Sequence, residues 1–296
     1  MRCAYAWIWL LAGCGRHEPA PAAPPPKPPP PRIAPAAAAP AHAEPCSKQL
    51  VALGPGLFAS REPIDAKPAT GDGACLDIVR AELASYRLRV LTASRDGHAR
   101  TAPDWRDTFD LAAVINAGMF HDTGAPVGLL VENGIAVGSD NASFGGVLAF
   151  DPRSPDDPPV AIAGRGCRGF DLADLRERYR SLVQSSRLLG CDGTALRWKD
   201  RKQYSAAAIG VDRSGRVVLL HARSAVTMTE LSRVLASPEL DLAGAIFLEG
   251  GPEASLLVRG RFGSIARVGS YETNFREDDT NQDFWQLPNV IALEPR

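Results

Sequence analysis

The stretch INAGMFHDTGAPVGLLVENG, residues 115–134, decides the fold of this chain. It begins at the end of an apolar run that stops at Asn116-Ala117-Gly118, as a buried strand does where the backbone must turn. It closes on Asn133-Gly134 between two apolar runs, which is the strongest short-range signal for a β-hairpin. A buried strand followed by a hairpin predicts a sheet in which neighbouring strands are antiparallel.

Further apolar runs predict more strands on both sides of this stretch. Residues 86–94, YRLRVLTAS, alternate in the way of a half-buried strand. Residues 206–222, AAAIGVDRSGRVVLLHA, form two apolar runs around a turn at Asp212–Gly215, so they predict a second hairpin. Residues 242–251, LAGAIFLEGG, predict a buried strand that ends at a glycine pair.

Two segments show the spacing of an amphipathic helix. Asp171–Val183 has an acidic start and apolar residues on one face. Residues 227–237 carry a capping box, Thr227 with Glu230, and stop before Pro238. The strands outnumber the helices, and the helices need sheet faces to cover their apolar sides. The sequence therefore predicts an α+β fold of mixed, largely antiparallel β-sheets with packed helices, in a single catalytic-type domain.

The first 45 residues have the composition of an export leader and a spacer. Residues 1–13 combine one basic residue with a short apolar run, as a secretory signal does, and Leu11–Cys14 resembles the bacterial lipobox. Residues 14–45 hold twelve of the chain's 25 prolines and predict an extended Pro/Ala-rich linker. We expect an exported chain lipid-anchored at Cys14, on the periplasmic face of the outer membrane in a Gram-negative organism, with a folded domain over residues 46–296. A plain signal peptide cleaved nearby is the alternative.

Charge and cysteine content narrow the class of protein. The 33 basic and 34 acidic residues leave a net charge of -1, so no basic field indicates a nucleic-acid partner. Four cysteines follow the leader, and an even number in an exported chain fits two disulfides. Proximity in the sequence favours the pairs Cys46–Cys75 and Cys167–Cys191 among three pairings. Spacings typical of zinc ligands do not occur.

Polar residues gather where predicted strands end, and two of them are carboxylates on one tight turn. Glu249 and Glu253 flank Gly250-Gly251-Pro252, and Asn116 ends another strand. Cleavage of a glycosidic bond needs a protonated carboxyl for the leaving group and a second carboxylate as base or nucleophile. Signatures of serine hydrolases, phosphate-binding loops and dinucleotide folds are absent. Glu249, Glu253 and Asn116 are therefore candidate catalytic residues, and an ordinary solvated turn is the alternative.

The remaining polar positions are candidates for substrate binding. A substrate phosphate favours a cation or the backbone N–H groups of glycine turns. The candidates are Arg187, Asp122, His121, Gly118, Gly250, Gly251 and Asp192. No cofactor is expected, although oxygen ligands suit hard divalent cations. The alternative is a divalent cation among Asp122, Asp192, Glu249 and Glu253.

Several motifs together resemble the phosphodiester glycosidase family, whose members include many bacterial exported proteins. The family's pattern Asn-(Gly/Ala)-Gly-(Met/Phe/Tyr)-(Phe/Tyr), followed by Pro-x-Gly-Leu, is matched by Asn116, Gly118, Met119, Phe120, Pro126, Gly128 and Leu129. Gln184 and Ser185 resemble its Gln-Ser-Gly-Pro segment, and residues 245–257, AIFLEGGPEASLL, stand where the family has Leu-Asp-Gly-Gly-Gly-Ser. Order and spacing agree over roughly residues 86–260.

The departures from the family's pattern concern the residues that would do the chemistry. Glu249 stands in the place of the family's aspartate, and Pro252-Glu253 replaces Gly-Ser. The arginine that the family has before Ala-Ile-Gly is Ala206 here, so a cation for phosphate is missing from that position. Arg187 is the candidate to replace it in space.

The resemblance implies an exported lipoprotein hydrolase that cleaves the glycosidic bond of a sugar phosphodiester or a related cell-envelope glycan. Its partners would be that glycan substrate and, through the lipid anchor, a membrane. Ala206 leaves an alternative open, a non-catalytic glycan-binding lipoprotein on the same fold. A third option is a phosphodiesterase that releases the sugar phosphate intact.

Overall fold

Antiparallel strand pairs account for most of the fold. The computed structural model describes residues 46–67, 69, 73–199, 201–272 and 279–296. The strands are β1 (Val51–Gly54), β2 (Leu57–Pro63), β3 (Cys75–Ala81), β4 (Tyr86–Thr92), β5 (Ala113–Asn116), β6 (Leu130–Glu132), β7 (Ile135–Ala136), β8 (Gly146–Pro152), β9 (Val160–Gly164), β10 (Tyr179–Ser185), β11 (Gln203–Asp212), β12 (Val217–Thr227), β13 (Leu242–Gly250), β14 (Ser255–Arg259), β15 (Ser264–Val268) and β16 (Asn289–Pro295). The helices are α1 (Ala93–Asp96), α2 (Ala102–Phe109), α3 (Leu172–Arg178) and α4 (Met228–Leu235), with 3-10 helices at Pro238–Leu240 and Gly251–Glu253.

The strands form three sheets. The first sheet has the order β1-β2-β3-β12-β11-β13, the second β15-β14-β5-β16-β4 and the third β7-β6-β10-β8-β9. The pairings within them are antiparallel. The predicted α+β fold with largely antiparallel sheets is confirmed.

One apolar core lies where the inner faces of the three sheets meet. Ile209 and Leu219 enter it from the first sheet, Ile115 from the second, and Leu148 and Val183 from the third. Each of these side chains is at most 1 % exposed, and burying a residue of this size contributes roughly 1.5–3 kcal/mol. The three sheets are therefore held together by one shared set of apolar contacts.

Each sheet has a second, outer face, and a helix covers it. Leu231 and Leu235 of α4 pack on the outer face of the first sheet. Trp105 of α2 packs on the second sheet, and its indole N–H donates to the Leu287 carbonyl at 2.9 Å. Leu175 of α3 packs on the third sheet. In the part of the chain that the structure describes, none of the helices is long and apolar enough to span a membrane.

The helix predicted over Asp171–Val183 is correct only in its first half. The Asp171 side chain caps α3 by accepting from two backbone N–H groups, but the helix ends at Arg178 and β10 begins at Tyr179. Val183 then pairs with strands on both sides, β8 and β6. Pairing between two neighbouring strands thus overrides the helical spacing of the apolar residues. The capping box predicted for α4 is present.

The hairpins and the disulfides agree with the sequence predictions. Asn133 and Gly134 both have positive φ, 48° and 84°, as the two central residues of a tight hairpin turn require. The pairs Cys46–Cys75 and Cys167–Cys191 are both disulfide-bonded. The predicted signal peptide 1–13, the lipidation site Cys14 and the linker 14–45 lie outside the described residues.

The Gln184 side chain, near the end of β10, connects the segment before β6 to the loop that holds Asp140 and Asn141. The side chain is 3 % exposed. Its Oε1 accepts from the backbone N–H groups of Leu129, at 3.0 Å, and Asn141, at 2.9 Å. Its Nε2 donates to the Asp140 carboxylate at 2.6 Å and to the Asn141 carbonyl at 3.0 Å. One amide therefore satisfies backbone groups from two separate segments.

Replacing Gln184 with alanine is expected to lower the free energy of unfolding by about 2–4 kcal/mol, because buried N–H groups lose their acceptor. Urea titration of the full chain measures this loss. The matched control is Gln49→Ala, whose side chain is exposed and whose loss should cost at most ~0.5 kcal/mol. Equal stabilities for the two variants would contradict the role assigned to Gln184.

Candidate active site

A β-bulge at the end of β13 turns a carboxylate toward the inner face of the first sheet. Ala208 of β11 pairs with Phe247, and Ala207 pairs with Glu249, which leaves Leu248 as an extra residue on β13. Ala207 and Leu248 both belong to the shared core. A bulge re-aims the side chain that follows it. Glu249 therefore stands on the inner side of the sheet.

The turn after Glu249 brings two further carboxylates close to it. Gly251 has φ +70°, a left-handed conformation that favours glycine. A side-chain Cβ at this position would stand 3.1 Å from Oε2 of Glu272 and 3.3 Å from Oε2 of Glu253. Glycine is thus required here for both its backbone conformation and the space it leaves. The result is a cluster of three carboxylates, Glu249, Glu253 and Glu272, which we call the carboxylate cluster.

The surroundings of Glu249 keep it protonated at neutral pH. Burial raises its pKa from 4.5 to about 8, and repulsion from the Glu253 and Glu272 carboxylates acts in the same direction. The Gly250 N–H, which donates to Oε1 at 3.0 Å, opposes the shift. Desolvation and like charges both disfavour the ionised form. Glu249 is half-buried as a residue, and a carboxyl group that holds its proton at pH 7 is suited to act as a general acid.

Asn116, at the end of β5, holds the backbone of the same turn. Its side chain is 1 % exposed. The amide Nδ2 donates to the Glu253 carbonyl at 3.0 Å, and the Ser255 N–H donates to Oδ1 at 2.8 Å. The Ser255 hydroxyl also donates to the Glu253 carbonyl, at 3.0 Å. Asn116 therefore links the second sheet to the turn that carries Glu253, and it fixes that backbone.

A buried histidine lies beneath the turn. His221 of β12 pairs across the sheet with Ala207 on one side and Asp77 on the other, and its Nε2 lies 3.2 Å from the Ala254 carbonyl. Asp77 accepts from the Arg267 guanidinium at 2.8 and 3.0 Å. Sequence reasoning missed His221, because it directly follows the apolar run Val217–Leu220 of β12.

Glu272 was also missed, and a set of polar contacts explains how it reaches the site. Its segment pairs with Tyr204 through an isolated bridge. The Ser205 hydroxyl accepts from the N–H groups of Ser270 and Tyr271, at 2.9 and 3.0 Å. Buried Arg223 donates to the Val268 carbonyl at 2.9 Å. Glu272 lies in a polar stretch without periodicity, so only these long-range contacts reveal its position.

Arg187, the proposed substitute for the family's arginine, points elsewhere. Its Nη1 contacts Sγ of Cys167 and lies 3.2 Å from Sγ of Cys191. Its backbone forms a bridge with Ile246 of β13. Ala206 itself is buried between its neighbours on the first sheet. Arg187 thus contacts the disulfide, while the carboxylate cluster lies further along β13.

The other predicted substrate-binding residues lie in loops. His121 and Asp122 are exposed in the loop after Gly118, whose φ is +104°. Asp192 is exposed, and its carboxylate accepts from the Thr194 hydroxyl at 2.7 Å, which lowers the pKa of Asp192. Among the described residues, no group of three or more His, Cys, Asp or Glu side chains is arranged to hold a metal ion. The divalent cation considered among Asp122, Asp192, Glu249 and Glu253 stays a prediction.

The raised pKa of Glu249 makes stability depend on pH. The unfolded chain releases this proton near pH 4.5, whereas the folded protein keeps it to about pH 8, so the folded state loses relative stability as the pH rises through that interval. Glu249→Gln removes the titration and keeps the shape. We expect the free energy of unfolding of Glu249→Gln, relative to that of wild type, to increase by a few kcal/mol in total between pH 5 and pH 8.

Urea titrations of both proteins at pH 5, 6.5 and 8 measure this difference. The control is Glu177→Gln, an exposed glutamate of α3, for which the difference from wild type should not change with pH. A constant difference for Glu249→Gln as well would show that Glu249 ionises at an ordinary pKa.

Two solved structures share the fold of this chain. A catalytic domain of zebrafish N-acetylglucosamine-1-phosphodiester alpha-N-acetylglucosaminidase, auto-inhibited by its pro-peptide, superposes with a TM-score of 0.57 at 16% identity, over 85% of this chain and 87% of that chain. A hypothetical protein from Synechocystis superposes with a TM-score of 0.59 at 13% identity, over 81% of this chain and 62% of that chain. At such identities these likenesses concern the fold alone.

The sequence itself carries the assignment to a family. A search of curated proteins found no match. The sequence profile of the phosphodiester glycosidase family matches residues 109–294, a range that holds Asn116 and the whole carboxylate cluster. This range is more than half of the chain, and the chain belongs to the phosphodiester glycosidase family.

Proposed function

We propose that this protein hydrolyses the glycosidic bond of a sugar phosphodiester or a related cell-envelope glycan. The observation that carries the proposal is the protonated Glu249 beside two further carboxylates, at the position where the family has its aspartate. The membership of the family supports the same reaction class. The zebrafish enzyme with this fold is named for cleavage of such a bond.

The carboxylate cluster supplies the two groups that this reaction needs. Glu249 donates its proton to the phosphate oxygen that leaves C1 of the sugar, and the C1–O bond breaks. Water attacks C1, and an ionised carboxylate of the cluster, Glu253 or Glu272, accepts the proton of that water. The products are the free sugar and a phosphate monoester. Burial and like charges separate the proton affinities of the carboxyl groups, and this separation assigns the acid.

Protonation of Glu249 also reduces the electrostatic repulsion between the three carboxyl groups and an anionic substrate. A phosphodiester carries a negative charge, and each ionised carboxylate repels it. A protonated Glu249 removes one of these charges and offers an O–H donor to a phosphate oxygen. Because Arg187 contacts the disulfide and Ala206 carries no charge, the proposal depends on this donor more than on a cation.

Asn116 acts as a positioning residue in this scheme. Both ends of its amide are engaged by the backbone of Glu253 and Ser255, so it fixes the backbone that carries Glu253. A misplacement on the order of 1 Å in a catalytic group costs about 100-fold in rate.

We place the reaction outside the cytoplasm. The two disulfides are typical of exported proteins, and the leader and linker predicted over residues 1–45 support a lipid-anchored protein attached at Cys14. The net charge of -1 gives no field that favours nucleic acid. The partners would be the glycan substrate and the membrane that holds the anchor.

Release of free sugar by the full chain, from a panel of sugar phosphodiesters and measured by chromatography, tests the reaction. Glu249→Gln is expected to lower the rate by at least ~100-fold, the usual contribution of a general acid, while the protein remains folded. Glu177→Gln is the matched control and should keep the wild-type rate. Glu253→Gln and Glu272→Gln identify the base, because only the residue that accepts the proton of water should approach the loss seen for Glu249.

The pH dependence of the rate provides an independent check. Activity should fall as the pH rises through about 8, where Glu249 loses its proton, because loss of the general acid sets the alkaline limb of the pH–rate profile. A rate that stays constant to pH 9.5 in the wild type would remove Glu249 from the role of acid.

A non-catalytic glycan-binding protein is the second candidate, and Ala206 favours it because a family arginine is absent there. Substrate analogues would then raise the melting temperature of wild type without any product. A third outcome, sugar phosphate released intact, would place the cut at the bond between phosphorus and the aglycone oxygen and assign a phosphodiesterase.

A further inference from the structure

An arginine-rich cleft lies between the second and third sheets, along the free edge of β4. Its volume is about 520 Å³, within the range of ligand sites in proteins. Arg87 and Arg89 reach it from β4, Arg95 from α1 and Arg180 from β10. Four arginines from two sheets and a helix thus line one concave surface. None of the residues of the carboxylate cluster lines it.

The acidic residues of the cleft hold some of these arginines in place without saturating them. Glu294 accepts from Arg89 at 2.8 Å and lies 4.0 Å from Arg87. Glu132 lies 3.6 Å from Arg95. Each guanidinium has five N–H donors, so donors remain after these contacts. A guanidinium that is already oriented loses less entropy when it binds an anion.

Arg180 differs from the other three arginines in the contacts that its side chain makes. It is exposed on β10, and its side chain makes no ion pair or hydrogen bond with any of the residues that the structure describes. Asp151, which also lines the cleft, is exposed and makes no such contact either. Arg180 is therefore the guanidinium most available to a ligand.

The shape of the cleft favours an extended ligand. An adjoining cavity of about 420 Å³ shares Arg87, Leu88 and Asp151 with it and adds Arg296. Together they form one groove along β4, the last strand of the second sheet. An edge strand presents backbone N–H and C=O groups on its outer side. On β4 the Tyr86 N–H donates to the Glu82 carbonyl and the Tyr86 carbonyl accepts from Arg296, so a ligand would use the groups further along the strand.

One end of the groove lies at the end of the second sheet where Asn116 stands. Thr92, which donates to Glu132 at 2.6 Å, pairs with Asn289, and Asn116 pairs with the next residue, Val290. β4 and β5 are two strands apart in the sheet, a separation of about 10 Å. A chain bound along β4 would thus leave the groove on the side of Asn116.

From these observations we infer that this groove is a second binding site, for an extended anionic glycan whose phosphate or carboxylate groups are bound by Arg87, Arg89, Arg95 and Arg180. Planar guanidinium groups bind both kinds of anion in a bidentate manner. The choice of a glycan as ligand rests on the proposed function. The site holds the polymer, while the carboxylate cluster acts on a bond further along it.

Binding of defined oligomers to the full chain, measured by calorimetry, tests the inference. The probes are hexagalacturonate for carboxylate, a phosphomannan oligosaccharide for phosphate, neutral maltohexaose and hexaglutamate. At least one anionic glycan should bind more tightly than maltohexaose, and the double variant Arg87→Gln/Arg180→Gln should weaken it at least 10-fold. Comparing the carboxylate probe with the phosphate probe identifies the preferred anion.

The matched control is Arg168→Gln/Arg213→Gln, which removes two exposed arginines elsewhere on the surface and should leave the affinity within 2-fold of wild type. An equal loss in both double variants would overturn the inference in favour of general charge attraction. Tight binding of hexaglutamate alone would overturn the glycan assignment. If neither of the two anionic glycans binds, the site itself is overturned.

Glu249→Gln separates this inference from the proposed function. The variant should bind the anionic glycan as wild type does, because the groove contains no residue of the carboxylate cluster. If the glycan binds and sugar is never released, the proposed function fails alone. If sugar is released and the Arg87→Gln/Arg180→Gln variant binds as wild type, the groove fails alone. A loss of binding in Glu249→Gln would place the glycan at the carboxylate cluster and overturn the second site.

Discussion

Three carboxyl groups in a small volume repel one another, and this repulsion is the constraint on which the site depends. Burial of Glu249 beside Glu253 and Glu272 is tolerated because Glu249 takes up a proton, which removes one of the three charges. The proton costs stability above pH 4.5, since the unfolded chain does not need it. The same proton is what a general acid requires, so the electrostatic cost and the proposed chemistry have one origin.

Such a cluster persists only if the backbone around it cannot relax. A bulge at Leu248 directs Glu249 inward, and Asn116 fixes the carbonyl of Glu253 from the neighbouring sheet. Arg223 and Ser205 hold the segment that brings Glu272. These supports come from the first and second sheets, which explains why the site lies where the sheets share their core.

The sequence predicts the local features and misses those that arise from distant pairings. Asn116, Glu249 and Glu253 are identified because each follows a buried strand at a glycine turn, and the disulfides follow from cysteine spacing. Glu272 is absent from the prediction, because it reaches the site through a bridge to Tyr204, 68 residues earlier in the chain. The helix assigned to Asp171–Val183 fails after Arg178 for the same reason, since strand partners on both sides determine β10.

Loss of the family's arginine and the position of Arg187 bear on how a substrate is held. A site that binds phosphate through a neutral carboxyl group gains little Coulomb attraction, so its affinity for a short phosphodiester should be low. Binding energy from remote parts of a substrate can compensate, because it orients the reacting bond. A groove of arginines placed about two strands from Asn116 supplies such energy at a distance where its charges do not lower the pKa of Glu249. Separation of the cations from the carboxylates thus allows one protein to attract an anion and keep its acid protonated.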